Sequence, residues 1–375
     1  LAMALWLLSV GTATIYRFPP DVLYYIRMLP WTYWIALFVL LGALGVRFFH
    51  PGNFNKTATL DILLMLILTL FLFGTPCFIE DTPRFFDSYG HTGLGLFVKL
   101  NGKVGSELLG VFMPPYSYHL NYPGFFAFLA TLLTVTGLPW MICVKYYPFP
   151  LMAVISLFIY AIARKFCGRF SLMAPVLFLS MAWFQSFHIS PESFSLILYL
   201  VVWLCITKLF VGIKEVAVRL PLTLVTVLTV FSIVISHMGT PIFMISSLGL
   251  LSTLVYGQKL VKPYTLPNNI PKILLITSLF FFAWLSYVAQ FSFTSTIKSV
   301  SQAIISSFAG NSTSLKLALW SPNYIIVNRL RALEVLSTNI IVIVFTLFLL
   351  RNRSHRKVMV WLGGWWISCW IFILY

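Results

Sequence analysis

Long apolar runs alternate along this chain with short stretches that contain most of its charges. A helix needs about 20 apolar residues to cross a bilayer, and somewhat fewer in a packed interior. By this measure the pattern predicts eleven membrane spans, at roughly 1–16, 31–47, 59–78, 146–163, 171–187, 193–211, 219–236, 238–256, 272–291, 336–350 and 358–375. One further apolar run, PGFFAFLATLLTVTGLP at 123–139, is ambiguous.

The charged residues decide how the ambiguous run is interpreted. Cytoplasmic loops are enriched in Lys and Arg, so clusters of basic residues mark the inner side. If 123–139 lies on or dips into the outer face without crossing, the inner side collects most of the 25 basic residues and only two of the nine acids, Asp61 and Glu215. If the run crossed, the basic clusters at 164–169 and 351–357 would face outward. We therefore predict that it does not cross.

The predicted fold class is an all-α polytopic membrane protein with about eleven transmembrane helices. Its long first outer loop is predicted to contain a membrane-lying helix. We expect a single transmembrane domain over 1–375: residues 1–58 supply two N-terminal spans, 59–260 form a core, and 261–375 add further spans around an outer loop at 292–335. The sequence begins with Leu and ends within an apolar run, so we expect the true ends of the protein to lie beyond it.

The composition agrees with a multi-pass membrane protein. The chain is 60% hydrophobic and 9% charged, whereas soluble domains contain about 25% charged residues. A net charge of +16 would suit a nucleic-acid partner, but the basic residues lie in short loops between apolar runs, so membrane lipid is the expected partner and nucleic acid is not. The five cysteines are scattered without a CxxC motif, which indicates packing residues rather than ligands.

Acidic residues cluster where the third predicted span ends. The stretch FIEDTPRFFDSYGH contains Glu80, Asp81 and Asp87, three of the nine acids in the chain. Carboxylates at such a position are costly in hydrocarbon and mark functional sites by default. They could bind a divalent cation through hard oxygen ligands, or one of them could act as a general base. The structural alternative is a solvated loop in which the acids pair with Arg84.

Two histidines and a further acid are predicted on the same outer side. Asp87 and His91 are four residues apart, which places them on one face of a helix. In FHISPESFSLIL, His188 and Glu192 lie in a short outer loop. The SPES motif also predicts a helix start with Ser190 as the N-cap and proline at the first helical position. A capping role and a functional role for this acid are compatible.

Other outer residues are weaker candidates. His237 lies in the turn SHMGTP, where a histidine is more often a hydrogen-bonded structural residue. The Tyr-rich loop PPYSYHLNYPG could contact a sugar. Arg329 and Arg331 precede a predicted span and could bind a lipid phosphate, with Arg84 as a weaker candidate; ordinary snorkelling is the alternative. No P-loop, GxGxxG, HExxH or GxSxG motif is present.

These motifs, in this order, resemble those of the GT-C class of integral-membrane glycosyltransferases, which use polyprenyl-phosphate-linked sugars. DSYGH (87–91) is similar to the Asp-x-Tyr/Trp-x-His element of the first outer loop in that class, and the Glu-Asp pair (80–81) is similar to its acidic pair. YPGFF (122–126) resembles the start of the helix in that loop. ARKFCGR (163–169) resembles the cytoplasmic end of the following span, and SPE (190–192) falls where the class often has a second outer acid.

The resemblance covers about residues 59–260, and the two spans that precede this region are a departure from the class. It implies an inverting glycosyltransferase in a plasma-membrane or ER-type membrane. A sugar would pass from a polyprenyl-phosphate donor to a glycan, lipid or protein acceptor on the extracytoplasmic side. Asp81 or Asp87 would be the base. The departing phosphate would be stabilised by arginine or by a divalent metal, Mg²⁺ or Mn²⁺.

The resemblance and the residue pattern together give the expected site residues. The arginines expected at the donor phosphate are Arg84, Arg329 and Arg331. The expected metal ligands are Glu80, Asp81, Asp87, His91 and Glu192. The expected substrate contacts are Tyr89, Tyr122, His188 and His237.

Two other functions are compatible with a multi-pass chain. A transporter or lipid flippase is the first, but such proteins place charges and broken helices near the bilayer midplane, often in paired repeats. Here the acids gather at one interface, which argues against transport. A non-catalytic scaffold subunit of a membrane assembly is the second, because an inactive relative would keep the fold and topology of an enzyme.

Overall fold

The computed structural model describes residues 1–13, 29–49, 58–83, 87–104, 121–168, 171–182, 188–210, 216–261, 269–289 and 340. Within these ranges the secondary structure is helical and no strand is present. The chain divides into two compact units, Leu1–Val104 with Phe125–Thr207 and Gly105–Gly124 with Lys208–Tyr375. Each unit is described by itself below.

Thirteen α-helices and one π-helical segment can be traced in the described ranges. The first unit contains α1 (Ala2–Ala13), α2 (Trp31–Phe49), α3 (Ala58–Thr69), the π-helix Leu70–Gly74, α4 (Thr75–Ile79), α5 (Asp87–Asn101), α6 (Pro123–Thr136), α7 (Trp140–Tyr146), α8 (Pro148–Phe166), α9 (Met173–Ala182) and most of α10 (Pro191–Phe210). The second unit contains α11 (Val216–Ser236), α12 (Gly239–Val261) and α13 (Asn269–Tyr287).

In the part of the chain that the structure describes, six helical segments are long and apolar enough to cross a membrane, so this is a helical, polytopic membrane protein. They are Trp31–Phe49, Ala58–Ile79, Pro148–Phe166, Pro191–Leu209, Val218–Ser236 and Ile270–Tyr287. They coincide with the spans predicted at 31–47, 59–78, 146–163, 193–211, 219–236 and 272–291. Each of these is a long apolar run whose few charged residues lie near its ends, a pattern from which hydropathy predicts spans well.

The other predicted spans are not settled by the described residues. The helices found within 1–16 and 171–187 have only 12 and 10 residues. Within 238–256, the apolar helical stretch Gly239–Thr253 is also shorter than a full span. The last two predicted spans, 336–350 and 358–375, lie outside the described residues except for position 340. The total of eleven spans stays a prediction.

The ambiguous apolar run forms a helix that then breaks sharply. α6 ends at Thr136, and the chain turns by 116° into α7. Gly137 adopts a φ of 62° in this turn, a conformation that suits glycine because it has no Cβ. A pair of this shape is either a broken span or a re-entrant loop, so the prediction that this run does not cross the membrane stays a prediction.

α5 and α6 of the first unit pack side by side in parallel. His91 contacts the rings of Phe125 and Phe126, and one turn later Gly95 faces Leu129 so closely that a Cβ on the glycine would lie 2.6 Å from a leucine methyl. Two turns after His91, the Lys99 ammonium donates to the Leu133 carbonyl across 34 positions of sequence. Each contact joins residues 34 or 35 positions apart in the sequence, so the two helices run in the same direction. Their N-terminal ends therefore lie at the same end of the unit.

A buried ion pair joins three helices of the first unit. At the end of α2, Arg47 donates from Nε to Asp61 Oδ1 at 2.6 Å and from Nη2 to Oδ2 at 3.1 Å. Tyr160 of α8 donates its hydroxyl to the same Oδ2 at 3.0 Å. The arginine is 7% exposed and the aspartate 1%. The sequence pattern marks Asp61 only as an acid on the inner side; the structure shows it paired with Arg47 at the centre of a helix junction.

In the second unit, the chain just before α6 is anchored between helices. Tyr122 is buried in a cluster with Val234, Phe281, Leu285 and Ala289. The indole of Trp284 donates to the Asn121 carbonyl at 3.0 Å. Next to these residues, Gly124 lies so close to α11 that an added Cβ would clash with Ser236 and Ile235.

Candidate functional site

At the end of the third predicted span, the side chains of the acidic pair Glu80 and Asp81 point in opposite directions. Helix α4 ends at Ile79, and Glu80 follows in an extended conformation with its N–H donating to the Pro76 carbonyl at 3.0 Å. Because neighbouring side chains of extended backbone point to opposite sides, one carboxylate of the pair turns inward and the other outward. Glu80 is buried at 3% exposure, whereas Asp81 is exposed.

Asp87 and His91 share the first turns of α5, as the sequence predicted. Asp87 opens the helix and is exposed, a position at which the partial positive charge of a helix N-terminus stabilises a carboxylate. His91 lies one turn later and is buried at 7% exposure. The two residues therefore belong to one site but present different surfaces: a carboxylate to solvent and an imidazole to the interior.

His91 joins the acidic segment to the loop before α10. Its Nδ1 lies 3.2 Å from the Ile189 carbonyl oxygen, a contact between residues 98 positions apart. Its ring stacks on that of His188, with centroids 5.8 Å apart and an interplanar angle of 17°. The structure thus brings together the segment that contains Asp87 and the loop that leads to Glu192.

The environment of His91 keeps its imidazole neutral. Burial, with a smaller contribution from the neighbouring His188, lowers its pKa from 6.5 to about 4, although the Ile189 carbonyl and Asp87 act in the opposite direction. A carbonyl oxygen only accepts hydrogen bonds, so the Nδ1 of His91 carries the proton and donates it. The remaining nitrogen, Nε2, is then an acceptor.

The start of α10 is fixed by reciprocal capping. The Ser193 N–H donates to Ser190 Oγ at 3.1 Å, and the Ser190 N–H donates to Ser193 Oγ at 3.2 Å. This arrangement confirms Ser190 as the N-cap, with serine in the place that glutamate takes in a capping box. Tyr147 shares a hydrogen bond with Ser193. Glu192 lies in the first turn of this rigid helix and is exposed.

Aromatic rings surround the histidine pair. Phe128 stacks on Phe194 at 4.5 Å between centroids, and these rings continue the contacts of His91 with α6. On the other side of α5, the half-buried Tyr89 contacts Trp140 of α7 edge to face at 6.3 Å. Tyr89, a predicted substrate contact, is therefore packed against α7 while part of its surface stays accessible.

The predicted metal ligands do not form a cluster in the described part of the chain. Among those residues, no three His, Cys, Asp or Glu side chains lie close enough together to hold a metal ion. Of the predicted ligands, Glu80 and His91 are buried while Asp81, Asp87 and Glu192 are exposed. Metal binding here stays a prediction.

The remaining predicted contacts lie in the second unit or outside the described residues. His237 accepts the Thr240 N–H at 3.2 Å and lies 2.8 Å from its hydroxyl, contacts that define the start of α12 and fit the structural role weighed from the sequence. Tyr122 is buried. The three candidate phosphate ligands, Arg84, Arg329 and Arg331, lie outside the described ranges, so their role stays a prediction.

Two features of the first unit do not follow from the sequence. The stacking of His91 on His188 links residues that are far apart in the chain, and no local pattern announces it. The burial of Asp61 did have a signal, because an ionisable residue inside an otherwise apolar helix is costly unless it is paired. That signal was interpreted only as a marker of the inner side.

Comparisons with known proteins add nothing to this geometry. This chain matches no protein-family model, and it matches neither a curated protein nor a solved structure.

Proposed function

We propose that this protein is a membrane glycosyltransferase of the GT-C type. It would transfer a sugar from a polyprenyl-phosphate donor to an acceptor on the extracytoplasmic side, with inversion at the sugar C1. The observation that supports this most strongly is the contact of His91 with His188 and Ile189. It brings the segment of Asp87 and the loop of Glu192 together, in the same unit as the membrane span that leads to Asp81.

The reaction needs a base and a leaving group but no nucleotide. An acceptor hydroxyl or amide attacks the sugar C1 while the bond from C1 to the phosphate oxygen breaks. The polyprenyl phosphate leaves with the bonding electron pair, and a carboxylate takes the acceptor proton. We assign the proton to Asp87, with Asp81 as the second candidate.

Two properties of its surroundings suit Asp87 to this role. Its carboxylate is exposed at the start of α5, so an acceptor arriving from the water phase can reach it. The imidazole one turn away is neutral at pH 7, because the pKa of His91 is lowered to about 4. A cationic histidine at that position would stabilise the charged carboxylate and weaken it as a base.

The lipid part of the donor fits the apolar surroundings of the site. Its polyprenyl chain would lie between the membrane spans, and its phosphate would reach the interface where the acids lie. The predicted phosphate ligands are Arg84, Arg329 and Arg331, in line with the preference of arginine for bidentate phosphate contacts. Because the sugar is already activated, the chain needs no nucleotide-binding motif, and none is present.

The test is donor turnover by the purified protein in lipid nanodiscs. A radiolabelled polyprenyl-phosphate sugar is supplied, and the label released from lipid to water or to added acceptors is counted. Asp87→Asn keeps the size of the side chain and removes the base, so transfer should fall by at least ~10²-fold. Lys165→Gln removes an exposed charge elsewhere in the unit and should leave the rate unchanged.

Three outcomes separate the proposal from its rivals. If Asp81→Asn and Asp87→Asn both retain full transfer, the assignment of the base is wrong. If the protein moves the labelled lipid between leaflets without breaking the bond at C1, it is a flippase. If it binds the lipid without either change, it is a scaffold. A parallel series with EDTA tests the predicted metal requirement.

A further inference from the structure

The span that leads to the acidic pair contains a π-helical turn, Leu70–Gly74. In this register a carbonyl accepts from the residue five positions later, as the Leu70 carbonyl does from the Thr75 N–H. The residue five positions after Phe71 is Pro76, which has no N–H. The Phe71 carbonyl therefore lacks a backbone donor, and a carbonyl inside a membrane is costly to leave without a hydrogen bond.

Side chains replace the missing donor. Tyr33 of α2 donates its hydroxyl to the Phe71 carbonyl at 2.9 Å, and the Thr75 hydroxyl donates to the same oxygen at 2.6 Å. The indole N–H of Trp6, on α1, donates to the Thr75 hydroxyl oxygen at 2.8 Å. All four residues are buried. The two N-terminal helices are thus hydrogen-bonded to the irregular turn of the span.

The same helices also contact the last turn before the acids. The ring of Trp6 lies edge to face against Phe78, with centroids 5.8 Å apart, and it lies 5.9 Å from that of Phe71. The acidic pair, Glu80 and Asp81, begins two residues after Phe78. The N-terminal helices therefore contact the span both within the π-turn and after it, next to the point where the acidic segment leaves the span.

We propose that Trp6, Tyr33 and Thr75 are positioning residues, whose hydrogen bonds hold the π-turn and so set the direction in which the Glu80–Asp81 segment leaves the span. An α-helix turns by about 100° per residue, so relaxation of the π-turn to an α-helix would rotate everything after it by roughly that angle. This inference depends on the proposed function for its catalytic consequence. It gives the two spans that precede the GT-C-like region a defined task.

The kinetic test uses isosteric variants. Thr75→Val and Tyr33→Phe each remove one hydroxyl and keep the shape of the side chain. Because a displacement of about 1 Å in a reacting group can cost up to about 10²-fold in rate, we expect kcat for sugar transfer to fall roughly 10- to 100-fold. KM for the donor should stay unchanged, and Thr75→Ser, which keeps the hydroxyl, should restore kcat.

A matched control is present in the same span. The Thr69 hydroxyl is equally buried but donates to the Met65 carbonyl of its own helix at 2.9 Å. Thr69→Val should therefore leave kcat unchanged at an equal folded fraction. If Thr75→Val and Tyr33→Phe have the same kcat as Thr69→Val, the positioning role is refuted.

A second measurement does not depend on catalysis. Spin labels are placed at Asp81→Cys and Glu192→Cys, both exposed positions of the first unit, in a variant without the native cysteines, and the distance between the labels is measured by pulsed EPR. The distribution should shift or broaden with Thr75→Val and Tyr33→Phe but not with Thr69→Val. An unchanged distribution would refute the positioning role. If the unaltered chain transfers no sugar, the proposed function fails, while these distances still decide the positioning.

Discussion

Asp61 and Asp81 are the same residue type at opposite ends of one membrane span, and their surroundings differ completely. They are 20 residues apart in the sequence, which corresponds to roughly 30 Å along a helix. Asp61 is 1% exposed and is bonded to Arg47 and Tyr160. Asp81 is exposed where the chain leaves the span. The first carboxylate joins helices, and the second faces the medium.

The difference shows what burial does to an acid. A buried carboxylate is tolerated only when it is paired and hydrogen-bonded. The Asp61 carboxylate meets this condition, because it binds the Arg47 guanidinium and the Tyr160 hydroxyl. A carboxylate at the surface pays no such cost and can exchange a proton with an arriving substrate. Sequence hydropathy treats both residues alike; their packing makes Asp61 a structural residue and leaves Asp81 exposed, where a chemical role is proposed for it.

The largest expected effect is a loss of stability at the end of the span where Asp61 is buried. Asp61→Asn leaves the Arg47 guanidinium buried without a counter-charge, and breaking a buried pair in this way typically costs about 3–5 kcal/mol. We expect a fall of this size in the free energy of unfolding, measured by SDS titration in mixed micelles. Asp81→Asn, in the same assay, should change stability by less than about 0.5 kcal/mol, as exposed substitutions usually do.

The double variant Arg47→Met/Asp61→Asn sharpens this comparison. It removes both charges and keeps an oxygen that can accept the Tyr160 hydroxyl. Since replacing a whole buried ion pair is often neutral, most of the lost stability should return. A double variant as unstable as Asp61→Asn alone would show that the pair itself, rather than the orphaned charge, determines stability.

The next effect concerns pH at the other end, where His91 is the buried group. Its pKa is lowered from 6.5 in the unfolded chain to about 4 in the folded protein. Between these values the unfolded state binds the proton and the folded state does not, so stability should fall as the pH is lowered from 6.5 and level off below about 4. A shift of this size corresponds to about 3 kcal/mol at most.

This pH dependence is measured as the free energy of unfolding between pH 7.5 and pH 4. His91→Gln, which cannot take up the proton, should flatten the curve in this window. A wild-type curve that is flat, or that rises toward low pH, would show that His91 does not carry the lowered pKa in the folded protein.

The smallest effect separates the two partners of Asp61. Tyr160→Phe removes one hydrogen bond to a charged group, and such bonds contribute about 1.5–3 kcal/mol. We expect a loss near the lower value, because the Arg47 contacts remain. Tyr146→Phe is the matched control, because the Tyr146 hydroxyl makes no hydrogen bond with the described residues. Equal losses in the two variants would contradict the role of the Tyr160 hydroxyl.

The sequence predicted the parts of this structure that depend on local patterns. Six spans follow from apolar runs, and the SPES motif correctly gave Ser190 as a helix cap, because both signals lie within one stretch of chain. The contact of His91 with His188 and the pair of Arg47 with Asp61 arise from tertiary packing between helices. The π-turn was not predicted either. Pro76 indicates an irregular helix, but the Tyr33 hydroxyl that bonds the Phe71 carbonyl comes from another helix.

The most direct test compares transfer per folded molecule in two double variants. Asp81→Asn/Asp87→Asn should unfold at the same SDS concentration as the unaltered chain and lose at least ~10²-fold in release of the radiolabelled sugar. Arg47→Met/Asp61→Asn should retain the full rate per folded molecule. If the first variant keeps its rate, or if the second loses its rate while folded, the chemistry does not reside at the exposed end of the span.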